Sequence, residues 1–316
     1  MRNRAVAVLI GLLVACGGST AATTTSASVE TTTTVPAEPT ITADSGFPVS
    51  IEAVNGIVTI ESPPESIVSL SSTATEMLFA LGAGTQVVAV DEQSNYPPEA
   101  PITDLSGFTP NLEAIVAYEP DLVLVSFDPQ DLVADLEQLG IPVLLLPSAL
   151  AIDDAYTQIE QIGVATGNVA EAAELVASIE SGLDAIVGSS GDLAAGLTFY
   201  HEIDATLYSA SSASFVGQLY SLLGMENIAD SADPDGLGFP QLSNEYIVDA
   251  DPDVIFLADG LTLEDVSARP GWSGMSAVAN GLVIPVDPDL SSRWGPRMLY
   301  FLEEVATAIA ALETTG

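Results

Sequence analysis

Residues 113–121 read EAIVAYEPD and run straight into the apolar sequence LVLV. The chain uses the same pattern again at residues 245–253, which read EYIVDADPD and run into VIFL. Both copies fit one template, Glu-x-Ile-Val-x-x-x-Pro-Asp followed by four apolar residues. A pattern repeated so far along the chain indicates two structural units of similar build. Each unit presents one carboxylate, Glu113 or Glu245, at an equivalent point.

Each copy predicts a short helix, a turn and a buried strand. Asn111 and Ser243 stand two residues before the two glutamates, and both residue types cap helix N-termini. The Pro-Asp pair marks a turn, because proline cannot continue a helix. Four consecutive apolar residues are typical of a strand that is covered on both faces, as in a parallel sheet.

The alternation of strands and helices around these units predicts an α/β fold with two lobes and mostly parallel sheets. We expect an N-terminal lobe over residues 46–165 and a C-terminal lobe over residues 191–316. Residues 166–190 have apolar side chains at helical spacing, and we interpret them as a single long helix that joins the lobes. A ligand cleft is expected between the lobes, which favours a binding protein over a one-domain enzyme.

The charge of the chain excludes several kinds of partner. Its 316 residues carry 44 acidic and 5 basic side chains, for a formal net charge of -39 at pH 7. Because phosphate backbones are bound by clustered cations, we exclude a nucleic acid partner. Direct adsorption of the folded part to an anionic membrane is excluded for the same reason. We interpret the charge as a solvated, self-repelling surface that keeps the protein soluble, and we expect a monomer.

The N-terminus carries the features of a signal peptide. Arg2 and Arg4 precede an apolar run at residues 5–15, which is too short to span a bilayer. The run ends in Leu-Val-Ala before Cys16 and resembles the lipobox of bacterial lipoproteins, in which this cysteine is lipidated. We therefore expect a lipoprotein signal peptide at 1–15, a lipidated cysteine with a disordered Thr/Ser-rich tether at 16–45, and attachment to the extracytoplasmic side of the cell membrane. An ordinary secretion signal with an incidental cysteine is the alternative.

The sequence contains no motif for a resident cofactor or metal. A Gly-x-Gly-x-x-Gly loop after a strand is missing, and a chain without lysine has no Walker loop. Cys16 is the single cysteine and His201 the single histidine, which excludes the usual zinc sites. His201 follows the predicted strand LTFY, whose end should face the cleft. It is either a hydrogen-bonded structural residue or an axial ligand to a haem iron.

Five strings are similar to those of one known family, and they occur in that family's order. The chain resembles the substrate-binding lipoproteins of iron-complex and cobalamin ABC importers in SNYPPEA (94–100), NLEAIVAYEPDLVLV (111–125), ASFVGQLYSLLGMENIAD (213–230), FPQLSNEYIV (239–248) and SSRWGPR (291–297). The resemblance implies two α/β lobes joined by one long helix. It also implies that the protein captures cobalamin or a ferric-siderophore-type chelate in the cleft, delivers it to a permease dimer, and catalyses no reaction.

The resemblance further implies roles for individual residues. Positions that contact the ligand in the family correspond here to four aromatic and two polar residues: Tyr96, Phe108, Tyr208, Phe239, Asp289 and Arg293. The family's permease-docking glutamates correspond to Glu113 and Glu245, one in each lobe. Structural alternatives remain for all of them. The aromatic residues could lie in the core or brace a turn, Arg293 and Arg297 could form ion pairs, and a helix dipole favours glutamate in a first turn.

Two other functions stay open at this stage. One is a haem-binding version of the same protein that uses His201 as an axial ligand. The other is an enzyme on a related scaffold with Glu113 or Glu245 as a general base. A general base should face the cleft with a perturbed pKa, whereas a docking carboxylate should be exposed to solvent. The accessibility of the two glutamates therefore separates the hypotheses.

Overall fold

The structure, a computed structural model, describes residues 46–313. The predicted signal peptide, Cys16 and the tether at 16–45 lie outside the described residues. Within residues 46–313, each helix is too short or too polar to cross a lipid bilayer.

The first part of the described chain forms a hairpin and a parallel sheet. The hairpin pairs β1 (Val49–Ala53) with β2 (Gly56–Ile60) in antiparallel fashion. The sheet has the strand order β4-β3-β5-β6, and all its neighbours are parallel. Its strands are β3 (Ile67–Leu70), β4 (Val87–Val90), β5 (Leu122–Val125) and β6 (Val143–Leu145). The helices of this lobe are α1 (Ser72–Ala80), α2 (Leu112–Val116), α3 (Leu132–Gln138) and α4 (Ile152–Thr166).

The second lobe repeats this topology. Its four parallel strands follow the order β8-β7-β9-β10. In both sheets the strands therefore lie in the order second, first, third, fourth along the chain. They are β7 (Thr198–Glu202), β8 (Glu226–Asn227), β9 (Val254–Leu257) and β10 (Val283–Pro285). The helices are α6 (Phe215–Leu222), α7 (Asn244–Ala250), α8 (Leu263–Ser267), α9 (Ser276–Ala279), α10 (Pro288–Ser292) and α11 (Met298–Glu313). The predicted α/β fold with two parallel sheets is confirmed.

A helix of 22 residues, α5 (Val169–Ser190), leads from the first sheet to the second. It begins a little later than the sequence predicts, because Gly167 adopts a left-handed conformation (φ 81°) that ends α4 first. Its apolar stripe, which includes Ile179 and Leu183, is buried against α4 and α11. This stripe belongs to one hydrophobic core that also contains α1, α6 and the inner faces of both sheets. The two lobes therefore share a core, and a large hinge motion would have to break it.

Both copies of the repeated template fold as the sequence predicts. The side chain of Asn111 accepts the backbone N–H of Ala114, and that of Ser243 accepts the N–H of Tyr246, each at 3.1 Å. The capped helices are α2 and α7, and the strands that follow, β5 and β9, are buried at every residue. In both copies the residue before the proline is left-handed, Glu119 at φ 51° and Asp251 at φ 45°.

The aspartate that ends each template has a structural role that the sequence did not indicate. Asp121 accepts the backbone N–H groups of Glu65 (2.8 Å) and Ser66 (3.0 Å), just before β3. Asp253 accepts the N–H (2.9 Å) and the hydroxyl (2.8 Å) of Thr198, the first residue of β7. Since β5 pairs with β3 and β9 with β7, each aspartate fixes the start of its strand beside its neighbour.

Candidate functional site

Two adjoining cavities lie where the carboxyl ends of the two sheets face each other, as expected for ligand sites in α/β folds. We call them the first-lobe cavity, of about 340 Å³, and the second-lobe cavity, of about 300 Å³. Both are lined by Ser148, Asp289, Ser292 and Trp294, so they form one cleft. Their volumes stand at the lower end of the range of small-molecule sites, roughly 300–1,000 Å³.

The cleft collects most of the residues that the family resemblance assigns to the ligand. Phe108, Asp289 and Arg293 line the first-lobe cavity, and Phe239 lines the second-lobe cavity. Phe108 and Phe239 leave 62% and 46% of their surface exposed, so both rings are accessible to a ligand in the cleft. Phe127, which sequence reasoning missed, lies 5.1 Å from Phe108 between ring centroids and extends the same wall. The cleft thus has apolar walls on both lobes.

Two of the predicted ligand contacts lie elsewhere. Tyr96 lines a separate cavity of about 710 Å³ between α1 and the start of α11, where the guanidinium of Arg297 lies 4.3 Å from its ring centroid. Tyr208 forms a backbone bridge to Gln241 and is not among the residues that line these three cavities. For both tyrosines, a ligand contact stays a prediction.

An ion cluster joins the lobes behind the first-lobe cavity. Glu76 of α1 is 3% exposed, and its Oε1 accepts hydrogen bonds from Nη1 of Arg293 (2.7 Å) and Nη2 of Arg297 (2.6 Å). Its Oε2 accepts a third from Nε of Arg297 at 2.8 Å. We call these three residues the interlobe ion cluster. Arg293 and Arg297 thus both form ion pairs, and a contact between Arg293 and a ligand stays a prediction.

The remaining donors of Arg293 are also engaged. Nη1 donates to Oδ1 of Asn95 at 2.8 Å, and Nη2 donates to the backbone oxygen of Gln93 at 3.0 Å. Nη2 also pairs with Oδ1 of Asp289 at 2.9 Å, while Asn95 donates to the other oxygen of that carboxylate at 2.8 Å. Arg293 therefore reaches the cavity with both terminal nitrogens bound to protein acceptors.

The third arginine of the described chain is paired in the second lobe. Arg269 donates from both terminal nitrogens to the two oxygens of Glu202, each at 2.6 Å, and its guanidinium lies 4.5 Å from the ring centroid of Trp272. Burial raises the pKa of Glu202, while the hydrogen bonds from Arg269 oppose that shift. All three arginines in residues 46–313 are thus paired with buried glutamates.

His201 lies at the end of β7 and lines the second-lobe cavity. It is 2% exposed, and its Nδ1 shares a hydrogen bond of 3.0 Å with the hydroxyl of Tyr220. Burial lowers its pKa to about 4, so the imidazole is neutral at pH 7. A neutral ring that is hydrogen-bonded through one nitrogen meets the requirements of an axial ligand as well as those of a structural histidine.

Glu113 and Glu245 occupy equivalent exposed positions at the starts of α2 and α7. Within residues 46–313, neither carboxylate forms a hydrogen bond or an ion pair, and neither lines the cavities described above. Each helix leads directly into a parallel strand, so its start lies at the edge of the sheet where the strands end. Both glutamates are exposed and lie outside these cavities, which does not meet the requirement that a general base face the cleft.

Comparisons with known proteins agree with this architecture. Residues 67–290 match the model of the periplasmic binding protein family. The chain is 34% identical over 273 residues to the ABC transporter substrate-binding lipoprotein YvrC of Bacillus subtilis, covering 83% of this chain and 86% of that one. It is 31% identical over 258 residues to a vitamin B12-binding protein of Pectobacterium carotovorum, covering 79% and 90%.

A solved structure is similar to the whole two-lobed arrangement. The periplasmic heme-binding protein RhuT of Roseiflexus sp. RS-1, in its apo form, superposes with a TM-score of 0.70 at 25% identity, covering 79% of this chain and 99% of that one. With two lobes of one topology, a cleft between them and a family match over most of its length, the chain belongs to the periplasmic binding protein family.

Proposed function

We propose that this chain is the substrate-binding protein of an ABC importer and that it captures cobalamin or a ferric-siderophore-type chelate. The observation that carries the proposal is the interlobe cleft, whose exposed Phe108 and Phe239 offer apolar walls from opposite lobes. Such walls suit a bulky, flat or globular chelate better than a small polar solute. The name of the P. carotovorum relative, a vitamin B12-binding protein, supports the cobalamin class, and that of the B. subtilis relative supports a substrate-binding role in an ABC transporter. Binding is the whole function, and no catalytic step is proposed.

The purified protein, expressed from residue 46 onward, should bind one such chelate with a change in the visible spectrum. Cyanocobalamin, a ferric trihydroxamate, a ferric tris-catecholate and haem are added in turn, and each titration is fitted for affinity and stoichiometry. One bound chelate per chain supports the proposal. A protein that leaves all four spectra unchanged, and that shows no heat of binding in calorimetry, is not a metal-chelate carrier.

Delivery to a permease dimer would use Glu113 and Glu245. Because the two lobes share one topology, their two exposed glutamates can meet a two-fold transporter through matched contacts. Changing both to alanine should leave chelate affinity unchanged and weaken transport, and changing both to arginine should weaken it further. Glu171 and Glu174 are exposed on α5, and changing both to arginine is the control of equal charge. Normal transport by the Glu113/Glu245 arginine variant would show that these residues are only helix-start glutamates.

The protein would be held at the membrane through lipid on Cys16, facing the extracytoplasmic side. The name of the B. subtilis relative, a lipoprotein, supports this placement. We further propose that it works as a monomer, since its strong negative charge opposes self-association.

Haem is the second candidate substrate, and His201 is the observation that favours it. The imidazole is neutral, lines the second-lobe cavity and is oriented by Tyr220 through its other nitrogen. If haem is the substrate, His201→Gln should shift the Soret band of the complex and lower haem affinity at least tenfold. If only cobalamin or a siderophore binds, the same variant should leave the affinity for that chelate within about threefold of the unchanged protein.

A further inference from the structure

Asp91 is a buried carboxylate in the cleft that none of the motifs in the sequence indicated. It follows β4 directly, lines the first-lobe cavity and is 5% exposed. Its backbone is fixed at the sheet edge, because its N–H donates to the oxygen of Ser69 at 3.0 Å. An acid at such a depth needs partners, since an unpaired buried charge is costly.

The described residues supply few donors to this carboxylate. Ser94 donates from its hydroxyl to Oδ1 at 2.6 Å and also offers its backbone N–H. A carboxylate accepts at about four positions, so acceptor capacity remains. Residue 107 is glycine, and any side chain at this position would crowd the carboxylate. A Cβ there would lie 3.1 Å from Oδ2 and 2.6 Å from the backbone oxygen of Leu70.

The one cation of the first-lobe cavity does not compensate Asp91. Arg293 is bound to Glu76 at 2.7 Å and to Asp289 at 2.9 Å, and Glu76 also pairs with Arg297, so these two carboxylates already balance the two guanidinium charges. Burial raises the pKa of Asp91, and the contribution of Arg293 that lowers it is the smallest of the causes. A ligand that enters this cavity therefore meets acceptors and excess negative charge instead of an open guanidinium.

We infer that Asp91 is a specificity-determining residue that accepts hydrogen bonds from donor groups of a neutral or cationic chelate and disfavours anionic ones. This inference rests on the proposed function and narrows its substrate class. Amide, hydroxyl and ammonium groups on the periphery of a chelate fit the site. Carboxylate-rich and catecholate chelates place like charge against Asp91 and Asp289, and the repulsion between like charges costs affinity.

Matched pairs of probes test the inference. One pair is cyanocobalamin and its monocarboxylic acid, in which one peripheral amide is replaced by a carboxylate. The other is ferrioxamine B, which carries a free ammonium group, and its N-acetylated form. The unchanged protein should prefer the more positive member of whichever pair it binds. Asp91→Asn should reduce that preference by about tenfold, as expected for a charge-assisted hydrogen bond. Asp104→Asn, an exposed site with the same charge change, should not alter it.

A second measurement needs no variant, which guards against a loss of folding in Asp91→Asn. The preference of the unchanged protein should shrink only modestly between 50 mM and 500 mM salt, since a buried charge is poorly screened. Two results overturn the inference while the proposed function stands. One is preference for the less positive member of a pair, and the other is a preference in Asp91→Asn that lies within twofold of that of the unchanged protein. Binding of a ferric tris-catecholate but of neither pair overturns the inference alone. Failure to bind cobalamin and every ferric chelate tested overturns both.

Discussion

Replacing Glu76 with alanine is expected to lower the free energy of unfolding by about 3–5 kcal/mol, the usual loss when one partner of a buried ion pair is removed. The change leaves Arg293 and Arg297 charged in a region that water hardly reaches. Ordinary domains are stable by only about 5–15 kcal/mol, so the loss would be a large share of the total.

The geometry of the interlobe ion cluster sets this magnitude. A surface ion pair contributes about 0–1 kcal/mol, because water screens it and its side chains stay mobile. Here the side chain of Glu76 is 2% exposed, and those of Arg293 and Arg297 are 5% and 13% exposed. Three charge-assisted hydrogen bonds of 2.6–2.8 Å meet on the one carboxylate. Removing this carboxylate leaves two guanidinium groups without their shared partner. The free-energy cost of that loss outweighs the gain from no longer burying the charge of Glu76.

Equilibrium unfolding in urea is the appropriate assay, because urea is uncharged and leaves the electrostatics unscreened. Glu174→Ala, an exposed glutamate of α5, is the matched control and should change stability by less than 1 kcal/mol, as surface substitutions usually do. Replacing all three cluster residues with methionine should cost less than Glu76→Ala, since the desolvation penalty disappears together with the attraction. The reasoning is wrong if Glu76→Ala behaves like the control, or if the triple variant loses at least as much stability as the single one.

Three further predictions concern other parts of the chain. The folded-state pKa of His201, about 4, is below its ordinary value of 6.5, so the unfolded state binds the proton more tightly and stability falls as pH drops from 6.5 towards 4. Between pH 7 and 4.5 this residue should account for about 2–3 kcal/mol of the loss in urea unfolding, and His201→Gln should lack that part. Phe108→Ala or Phe239→Ala should each weaken chelate binding by about 1–3 kcal/mol in calorimetry, as for buried interface aromatics, and unaltered affinity in both would remove the apolar walls from the site. Cys16→Ser should release soluble protein, and mass spectrometry that finds no lipid on the unchanged protein would refute the lipoprotein interpretation.

The parts of the fold that the sequence predicted are those decided by neighbouring residues. Asn111 and Ser243 cap α2 and α7 by accepting backbone N–H groups three residues further along the chain. The Pro-Asp turn and the four apolar residues that follow each helix determine where the helix ends and the strand begins. Local patterns of this kind are readable without knowing how the lobes meet. The family resemblance, and not local pattern, assigned Phe108 and Phe239 to the cleft, and both line it.

The parts that the sequence did not predict are contacts between distant segments. Glu76 is 217 residues from Arg293 and 221 from Arg297, and a chain with 44 acids offers no reason to choose one partner over another. Asp91 belongs to no recognisable motif, and its place in the cleft depends on the distant segments that line the first-lobe cavity with it. The packing of Tyr96 against Arg297 is another such contact, since the two residues are far apart in the sequence and together line a cavity separate from the cleft.

The distribution of charge connects the site with the proposed docking surface. Every arginine of the described chain is paired with a buried glutamate, and the sequence has no lysine, so the solvent-facing charge of residues 46–313 is negative. Negative charge alone therefore cannot distinguish Glu113 and Glu245 from other exposed acids. What distinguishes them is the scaffold. In each lobe a capped helix, a left-handed residue before proline and an aspartate bound to the neighbouring strand hold the glutamate at the same point of the same topology. A partner with two equivalent cationic sites would recognise that geometry, which is why the charge-matched control on α5 is expected to leave transport intact.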